Sequence, residues 1–183
     1  MRYRPTPAPP LTREPARERC ILNNVRGTPG QAFTATITYF EGYNESAFGV
    51  SINDAITMIN TSTQVIRELS LPCMSQVRVV HPSTGLLAFT THEPKTLVFE
   101  FGLINDPSFA LFEQTLIDAL KAQGVKYTLH WSKNSGIDAQ NLVTMYGEDR
   151  IKRWRRAREV VFEGNMSLMS VFDNSHLQRA GLA

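Results

Sequence analysis

The chain has 183 residues, of which 42% are apolar and 20% charged, and its net charge is +2. This length is enough for one ordinary domain with a real core, and the charge is too small to demand an acidic partner. No apolar run approaches the roughly 20 residues needed to cross a bilayer, so we expect no transmembrane segment. The two cysteines, Cys20 and Cys73, form no CxxC pattern, which argues against a zinc site and a disulfide framework.

The first nineteen residues are rich in proline and arginine. They contain no apolar stretch of the kind a secretory signal needs, and their prolines prevent the amphipathic helix of a transit peptide. We therefore predict a Pro-rich mobile arm over residues 1–19 and a single α+β domain over residues 20–183. A reduced cytoplasmic setting is the default expectation.

The first part of this domain predicts a strand, a turn and a helix. Ala32–Phe40 alternates apolar residues with threonines, which is typical of a half-buried strand. The sequence "EGYNES" that follows has the composition of a turn. A capping-box-like Ser51 then opens an amphipathic helix, which Pro72 stops.

Three further strands and one clear helix follow. We predict strands over residues 73–80, 95–103 and 125–131, each with alternating side chains. The helix between the last two begins at Asp106 and Pro107 and ends at Gly124. Its expected buried face consists of Phe109, Phe112, Leu116 and Leu120.

The order of elements is β-α-β-β-α-β, which is the split βαβ pattern. We therefore predict an α+β fold, in which helices pack on one face of an antiparallel sheet. C-terminal helices should follow, over residues 137–147 and 148–162, because apolar residues recur there at helical spacing. In the second of these, the expected buried stripe is Ile151, Trp154, Val161 and Phe162.

Gln76 and Arg78 stand two positions apart on a predicted strand and should share a face. Val77 and Val79 should point the other way, into the core. A glutamine and an arginine presented together can hold a polar ligand, and arginine can stabilise developing negative charge. The competing interpretation is a solvated face of an antiparallel sheet, where such pairs are common.

The sequence "KYTLHWSKNSG" ends a predicted strand with His130, Trp131 and Lys133. An imidazole beside an ammonium has reason to stay neutral, and a neutral imidazole can act as a base or donor near pH 7. The competing interpretation is a pair of surface groups at a strand end.

The stretch Arg150–Arg158 carries six basic residues, which is usual for a solvated helix face. Binding of an RNA backbone is the alternative, since clustered charge is its electrostatic footprint. The aromatic residues of the third predicted strand are on its apolar face, however, so nucleic acid is not the expected partner. No spacing of histidine, cysteine or carboxylate residues suggests a metal site.

The segments "SQVRVVHPST…KTLVFEFGLI", "GVKYTLHWSKNSG" and "RIKRW…VFDNSHLQRAGL" together resemble a known family. They are similar to the C-terminal substrate domain of FAD-dependent aldonolactone and alditol oxidases, of the D-arabinono-1,4-lactone oxidase type. These belong to the vanillyl-alcohol-oxidase superfamily, and type II cholesterol oxidases look similar too. The residues that match the family's tail are Phe172, Asn174, Leu177 and Arg179.

The resemblance implies roles for five residues. Arg78 matches a strand arginine of the family, and His130, Trp131 and Lys133 match its His-Trp-x-Lys segment. Gln76 stands where the family usually has glutamate, and Ser132 replaces its usual glycine. By resemblance, Lys133, His130 and Arg78 are catalytic, and Gln76, Arg78, His130 and Trp131 bind substrate.

The implied reaction oxidises an alcohol carbon of a sugar lactone or polyol by hydride transfer to FAD. No part of this sequence resembles the family's FAD-binding domain, so we expect FAD to be held mainly by a domain not present in this chain, which a separate flavin-binding polypeptide could supply. The chain would then be a fragment, a truncated product or one half of a split oxidase. A ligand-binding or interaction module without catalysis is the alternative, and membrane association stays open because some relatives are membrane-associated.

Overall fold

The computed structural model describes residues 43–104, 107–133 and 136–183, which lie within the compact unit Phe40–Ala183. The strands there are β1 (Tyr43–Ser51), β2 (Met74–Val80), β3 (Thr96–Ile104) and β4 (Tyr127–Leu129). The helices are α1 (Ala55–Glu68), α2 (Phe109–Ala122), α3 (Ala139–Tyr146), α4 (Glu148–Val161), α5 (Met166–Val171) and α6 (Ser175–Arg179). The predicted arm over residues 1–19 and the predicted strand Ala32–Phe40 lie outside the described residues.

The strands form one antiparallel sheet in the order β2-β3-β1-β4. With α1 after β1 and α2 after β3, this arrangement is the split βαβ fold, so the predicted α+β class is confirmed. The start of the sheet is corrected, because β1 runs through most of the stretch that was predicted to be a turn. Its alternation is hard to recognise, since Phe48 and Val50 point to one face and the small residues Ala47 and Gly49 to the other.

The hydrophobic core lies between one face of the sheet and the helices. Phe101 of β3 sits at its centre, with its ring 6.0 Å from that of Phe48 and 5.2 Å from that of Phe112. Each fully buried aromatic or aliphatic side chain contributes about 1.5–3 kcal/mol of hydrophobic stabilisation. The predicted buried face of α2 is confirmed, since its four residues Phe109, Phe112, Leu116 and Leu120 are all buried.

β2 lies at the edge of the described sheet and is exposed along almost its whole length. Val77 pairs with Phe99 and Val79 with Leu97, so both valines are on the helix side of the sheet. They are nevertheless 48% and 57% exposed, and the prediction that they enter the core was wrong. The reason is that the described helices cover β3 and β1 but do not extend over β2.

The opposite face of the sheet is partly covered by the connection between β2 and β3. Thr128 Oγ1 donates a 2.5 Å hydrogen bond to the carbonyl oxygen of Phe89 in this connection. Gly49 allows the close approach, because a Cβ atom there would lie 2.7 Å from Thr128 Oγ1 and would clash with the Phe89 carbonyl. The β1 and β3 residues of this face, among them Ala47 and Val98, are buried or partly buried, and the face is exposed mainly at Gln76 and Arg78 of β2.

The C-terminal helices pack through Ile151, which is buried, and through an arginine that the predicted stripe omitted. Arg158 is buried on α4 and donates to the carbonyl oxygens of Leu182 at 2.9 Å and Met169 at 3.0 Å. Val161 is 73% exposed, so its predicted place in the stripe was wrong. Arg158 takes that place because its planar group can satisfy several acceptors at once.

Candidate functional site

The face of the sheet opposite the helices carries most of the residues that the sequence singled out. Gln76 of β2 lies opposite Glu100 of β3, and Arg78 is two positions further along the same strand. β4 reaches this face at Thr128, and His130 follows with the same two-residue period. We call the following set the polar face: Gln76, Arg78, Glu100, Glu45, His130 and Lys133.

The β2 side of the polar face is built around an ion pair. Arg78 Nη2 donates to Glu100 Oε2 at 2.7 Å, and the arginine side chain is 49% exposed while that of Glu100 is only 13% exposed. Gln76 is exposed beside them. Such an exposed pair adds only about 0–1 kcal/mol to the free energy of unfolding. Its main effect is therefore to hold the Arg78 guanidinium in one orientation at the surface.

The β4 side is built around a second ion pair, between Lys133 and Glu45. Both side chains are about one quarter exposed, so this pair is better shielded than the Arg78 pair. Glu45 was missed in the sequence because it lies in the stretch predicted to be a turn. The alternation of Phe48 and Val50 was the signal that could have placed Glu45 on a strand.

His130 lies at the β4 edge and is held in one orientation. Its backbone N–H donates to Ala47 O at 2.9 Å, and its ring packs edge-on against Phe89, with centroids 4.4 Å apart. Nδ1 accepts a 3.2 Å hydrogen bond from the backbone N–H of Ser132. In the neutral imidazole the proton is therefore on Nε2.

Burial lowers the pKa of His130, and the Lys133 ammonium lowers it further, while Glu100 and Glu45 act in the opposite direction. His130 is therefore neutral at pH 7, as the sequence predicted from the neighbouring lysine. Charges from both ion pairs of the polar face therefore act on this one imidazole.

The polar face is not one closed pocket. β2 and β4 are the two edges of the described sheet, and three strand spacings separate them by about 14 Å. The carboxylate partners of Arg78 and Lys133 lie on the neighbouring strands β3 and β1, so the two charged ends point inward from the edges.

Trp131 is not part of the polar face. Its Nε1 donates to the carbonyl oxygen of Leu87 at 2.8 Å. Its ring stacks on Tyr146 at 6.4 Å and meets the ring of His176 edge-on at 5.8 Å. The structure thus gives Trp131 the role of joining the end of β4 to α3 and α6.

Lys133 also borders a cavity of about 620 Å³ at the end of the sheet. Glu113 of α2 faces this cavity and is itself buried. Burial raises the pKa of Glu113, although Ser46 Oγ and the N–H of Gly136 both donate to its carboxyl group. Other residues around the cavity are Asn44, Phe109, His176 and Arg179.

The arginines of α4 are largely engaged within the fold. Arg150 donates to Thr91 Oγ1 and to Gly85 O, both at 2.8 Å, and Arg155 donates to Gly181 O at 2.5 Å. Together with buried Arg158, Arg150 and Arg155 thus form hydrogen bonds within the fold. Fewer basic groups of α4 are left to contact a nucleic-acid backbone.

No protein-family model matches this chain, and no curated protein is significantly similar to it. The tail residues behind the resemblance have structural contacts: Asn174 caps α6 by accepting from Leu177 N, and Arg179 Nη2 lies 3.2 Å from His176 Nδ1. No helix among the described residues is long and apolar enough to span a membrane. The function is therefore inferred from the polar face and from the resemblance.

Proposed function

We propose that this chain is the substrate-binding part of an FAD-dependent oxidoreductase that oxidises an alcohol carbon of a sugar lactone or polyol. The observation that supports it is the common placement of Gln76, Arg78 and His130 on the face of the sheet opposite the helices, with Lys133 ion-paired to that face through Glu45. Hydroxyl-rich ligands need closely spaced donors and acceptors, and this face offers both kinds.

Lys133 is the residue that activates the substrate hydroxyl in this proposal. Its ammonium donates to the hydroxyl oxygen and stabilises the negative charge that develops as the proton leaves. Glu45, already in contact with Lys133, is the nearest carboxylate that can receive that proton. His130 donates through Nε2–H and orients the hydroxyl, since its Nδ1 is occupied by the Ser132 N–H.

Arg78 and Gln76 are the residues of this chain that suit a flavin ring. Arg78 is half exposed, and its bond to Glu100 uses one of five N–H donors, so the others can reach an electron-rich planar group. Gln76 adds an exposed amide beside it. FAD, when bound, is the group that would accept a hydride, that is, two electrons and the hydrogen of the alcohol carbon.

The test begins with affinity capture of the tagged chain from cells that naturally produce it, followed by a visible absorption spectrum of the captured material. We expect a flavin spectrum that bleaches under anaerobic addition of a sugar lactone or an alditol. Lys133→Met should lower the bleaching rate at least about a hundredfold, in line with the loss of a charged transition-state contact. The matched control is Lys152→Met, which removes an exposed lysine paired with Glu148 and should bleach normally.

A non-catalytic ligand-binding module is the second candidate. The observation in its favour is that Arg78 and Lys133 each already have a carboxylate partner, so the face carries little net positive charge. In that case the capture yields colourless material, and sugar lactones or polyols bind without being consumed.

A further inference from the structure

Glu113 is a buried carboxyl group that the proposed function does not use. It lies on the first turns of α2, only 7% of its surface is exposed, and it faces the helix side of the sheet. Burying a carboxyl group in a hydrophobic core is unfavourable unless it is hydrogen-bonded. The group must therefore be explained by what it contacts.

Both carboxyl oxygens of Glu113 have a donor. Ser46 Oγ donates to Oε2, and the backbone N–H of Gly136 donates to Oε1 at 2.5 Å. Ser46 belongs to β1 and Gly136 to the chain that follows β4. Glu113 therefore connects a helix, the central strand and the segment after the last strand.

Gly136 is fixed from its carbonyl side as well. Asn141 Nδ2 donates to Gly136 O at 2.9 Å, and Lys121 Nζ donates to Asn141 Oδ1 at 3.1 Å. A Cβ atom on Gly136 would lie 3.3 Å from Glu113 Oε1, a distance tighter than ordinary contact. The glycine and the carboxyl group are thus fitted to each other.

Lys133 lies three residues before this anchor, so its Cα is at most about 11 Å from that of Gly136. It is held on the other side by His130, whose carbonyl oxygen accepts from Lys133 N at 3.4 Å. Ser46 and Glu45 are neighbours on β1 and point to opposite faces, so Glu113 and Lys133 contact the same short stretch of β1 from its two sides. Gly136 is the next described residue after Lys133, so fixing Gly136 limits how far the lysine can move from Glu45.

We propose that Glu113 is a positioning residue: it anchors Gly136 and thereby holds the Lys133 ammonium against Glu45 and beside His130. What the lysine then does to a substrate rests on the proposed function. The anchoring itself stands on the contacts of Glu113 alone.

His130 reports on the position of Lys133 without any substrate, because the ammonium lowers the pKa of that imidazole. The experiment is an NMR titration of the histidine ring signals in the full chain, with His130 assigned by comparison with His130→Gln. Glu113→Ala should raise the pKa of His130, because the lysine is released. Glu113→Gln should restore the wild-type value, since an amide can accept from Gly136 N–H and donate to Ser46 Oγ.

The matched control is Leu116→Ala, on the same helix and fully buried. It should lower the unfolding midpoint as much as Glu113→Ala or more, yet leave the pKa of His130 unchanged. If Glu113→Ala does not fold, Gly136→Ala replaces it, since the added methyl group crowds the carboxyl oxygen and should shift His130 in the same direction. An unchanged His130 in the folded variant, or an equal shift in Leu116→Ala, overturns the proposal.

A ligand titration on the same samples separates this proposal from the proposed function. If Glu113→Ala shifts His130 but the wild-type chain binds no sugar lactone or polyol, the anchoring stands and the function fails. If the wild-type chain binds such a ligand and Lys133→Met weakens the binding about tenfold while Glu113→Ala changes neither binding nor His130, the anchoring fails and the function stands.

Discussion

β1 and β2 are both strands with alternating side chains, yet their surroundings differ completely. β1 lies between β3 and β4, and even Ala47 on its polar side is only 1% exposed. β2 has a described neighbour on one side only, and the valines on its helix side remain about half exposed. Alternation therefore shows which residues share a face, while the number of covering neighbours decides whether that face is buried.

The same difference in exposure gives the two strands different roles in the candidate site. β1 contributes Glu45 at the shielded end, where it holds Lys133. β2 contributes Gln76 and Arg78, which remain accessible. A closed side that fixes the reactive groups and an open side that admits a ligand are what a substrate site requires.

The largest expected effect comes from truncating the core side of β1. Phe48→Ala should lower the free energy of unfolding by about 3–5 kcal/mol, because the ring is fully buried among other aromatic rings. Val79→Ala on β2 should cost less than about 1 kcal/mol, since the side chain is half exposed. Urea unfolding of both variants measures the contrast, and equal losses would refute the distinction between the strands.

The next effect concerns the glycine of β1. Gly49→Ala should cost about 1–3 kcal/mol, because the new methyl group meets Thr128 Oγ1 and the Phe89 carbonyl within a packed region. The comparison is Gly85→Ala, whose nearest atom at 3.3 Å is a side-chain carbon of Ala88. Thermal unfolding should give Gly85→Ala a midpoint near that of the wild type. A Gly49→Ala variant with wild-type stability would mean that the β2–β3 connection does not pack closely against β1.

A pH-dependent effect is expected from the buried carboxyl group behind β1. Burial raises the pKa of Glu113 above its unfolded value, so its contribution to stability is complete in acid and is lost as pH rises through the folded pKa. Glu113→Gln, which has no such proton to lose, should gain stability relative to the wild type as pH increases. Chemical unfolding at pH 4 and pH 8 tests this, and a difference that is the same at both values would contradict it.

The smallest effect on stability is expected at the exposed ion pair of β2. Arg78→Gln should change the free energy of unfolding by less than about 1 kcal/mol, because the guanidinium is half exposed and the new amide can still donate to Glu100. If the open side admits the ligand, the same substitution should weaken ligand binding about tenfold. A large loss of stability would mean that β2 is covered by something that the described residues do not include.

Much of the fold could be predicted because its strongest signals are local. The α2 face and the alternation of β3 are clear in the sequence, and both are found in the structure. The start of β1 was predicted as a turn because Ala47 and Gly49 are too small to make the two-residue alternation of a strand visible. Val77 and Val161 were misplaced because exposure depends on which element lies above them, and that is a property of the tertiary arrangement.

The candidate site was predictable in part for the same reason. The shared face of Gln76 and Arg78 follows from a two-residue period. That Glu45 meets Lys133 could not be seen, because a strand pairing brings together residues 88 positions apart in the chain. Trp131 shows the converse: the resemblance implied a role in substrate binding, but its ring packs against Tyr146 and His176 and away from the polar face.

The most direct test of the central claim is a two-dimensional ¹H–¹⁵N NMR titration of the labelled chain with a sugar lactone and with an alditol. The account predicts shifts concentrated at Gln76, His130 and Lys133, saturating with concentration and weakened about tenfold in Lys133→Met. Signals from the exposed side of α1 should stay still. Shifts confined to α1 or α4, or no saturable shift with either class of ligand, would contradict the claim that the polar face binds the substrate.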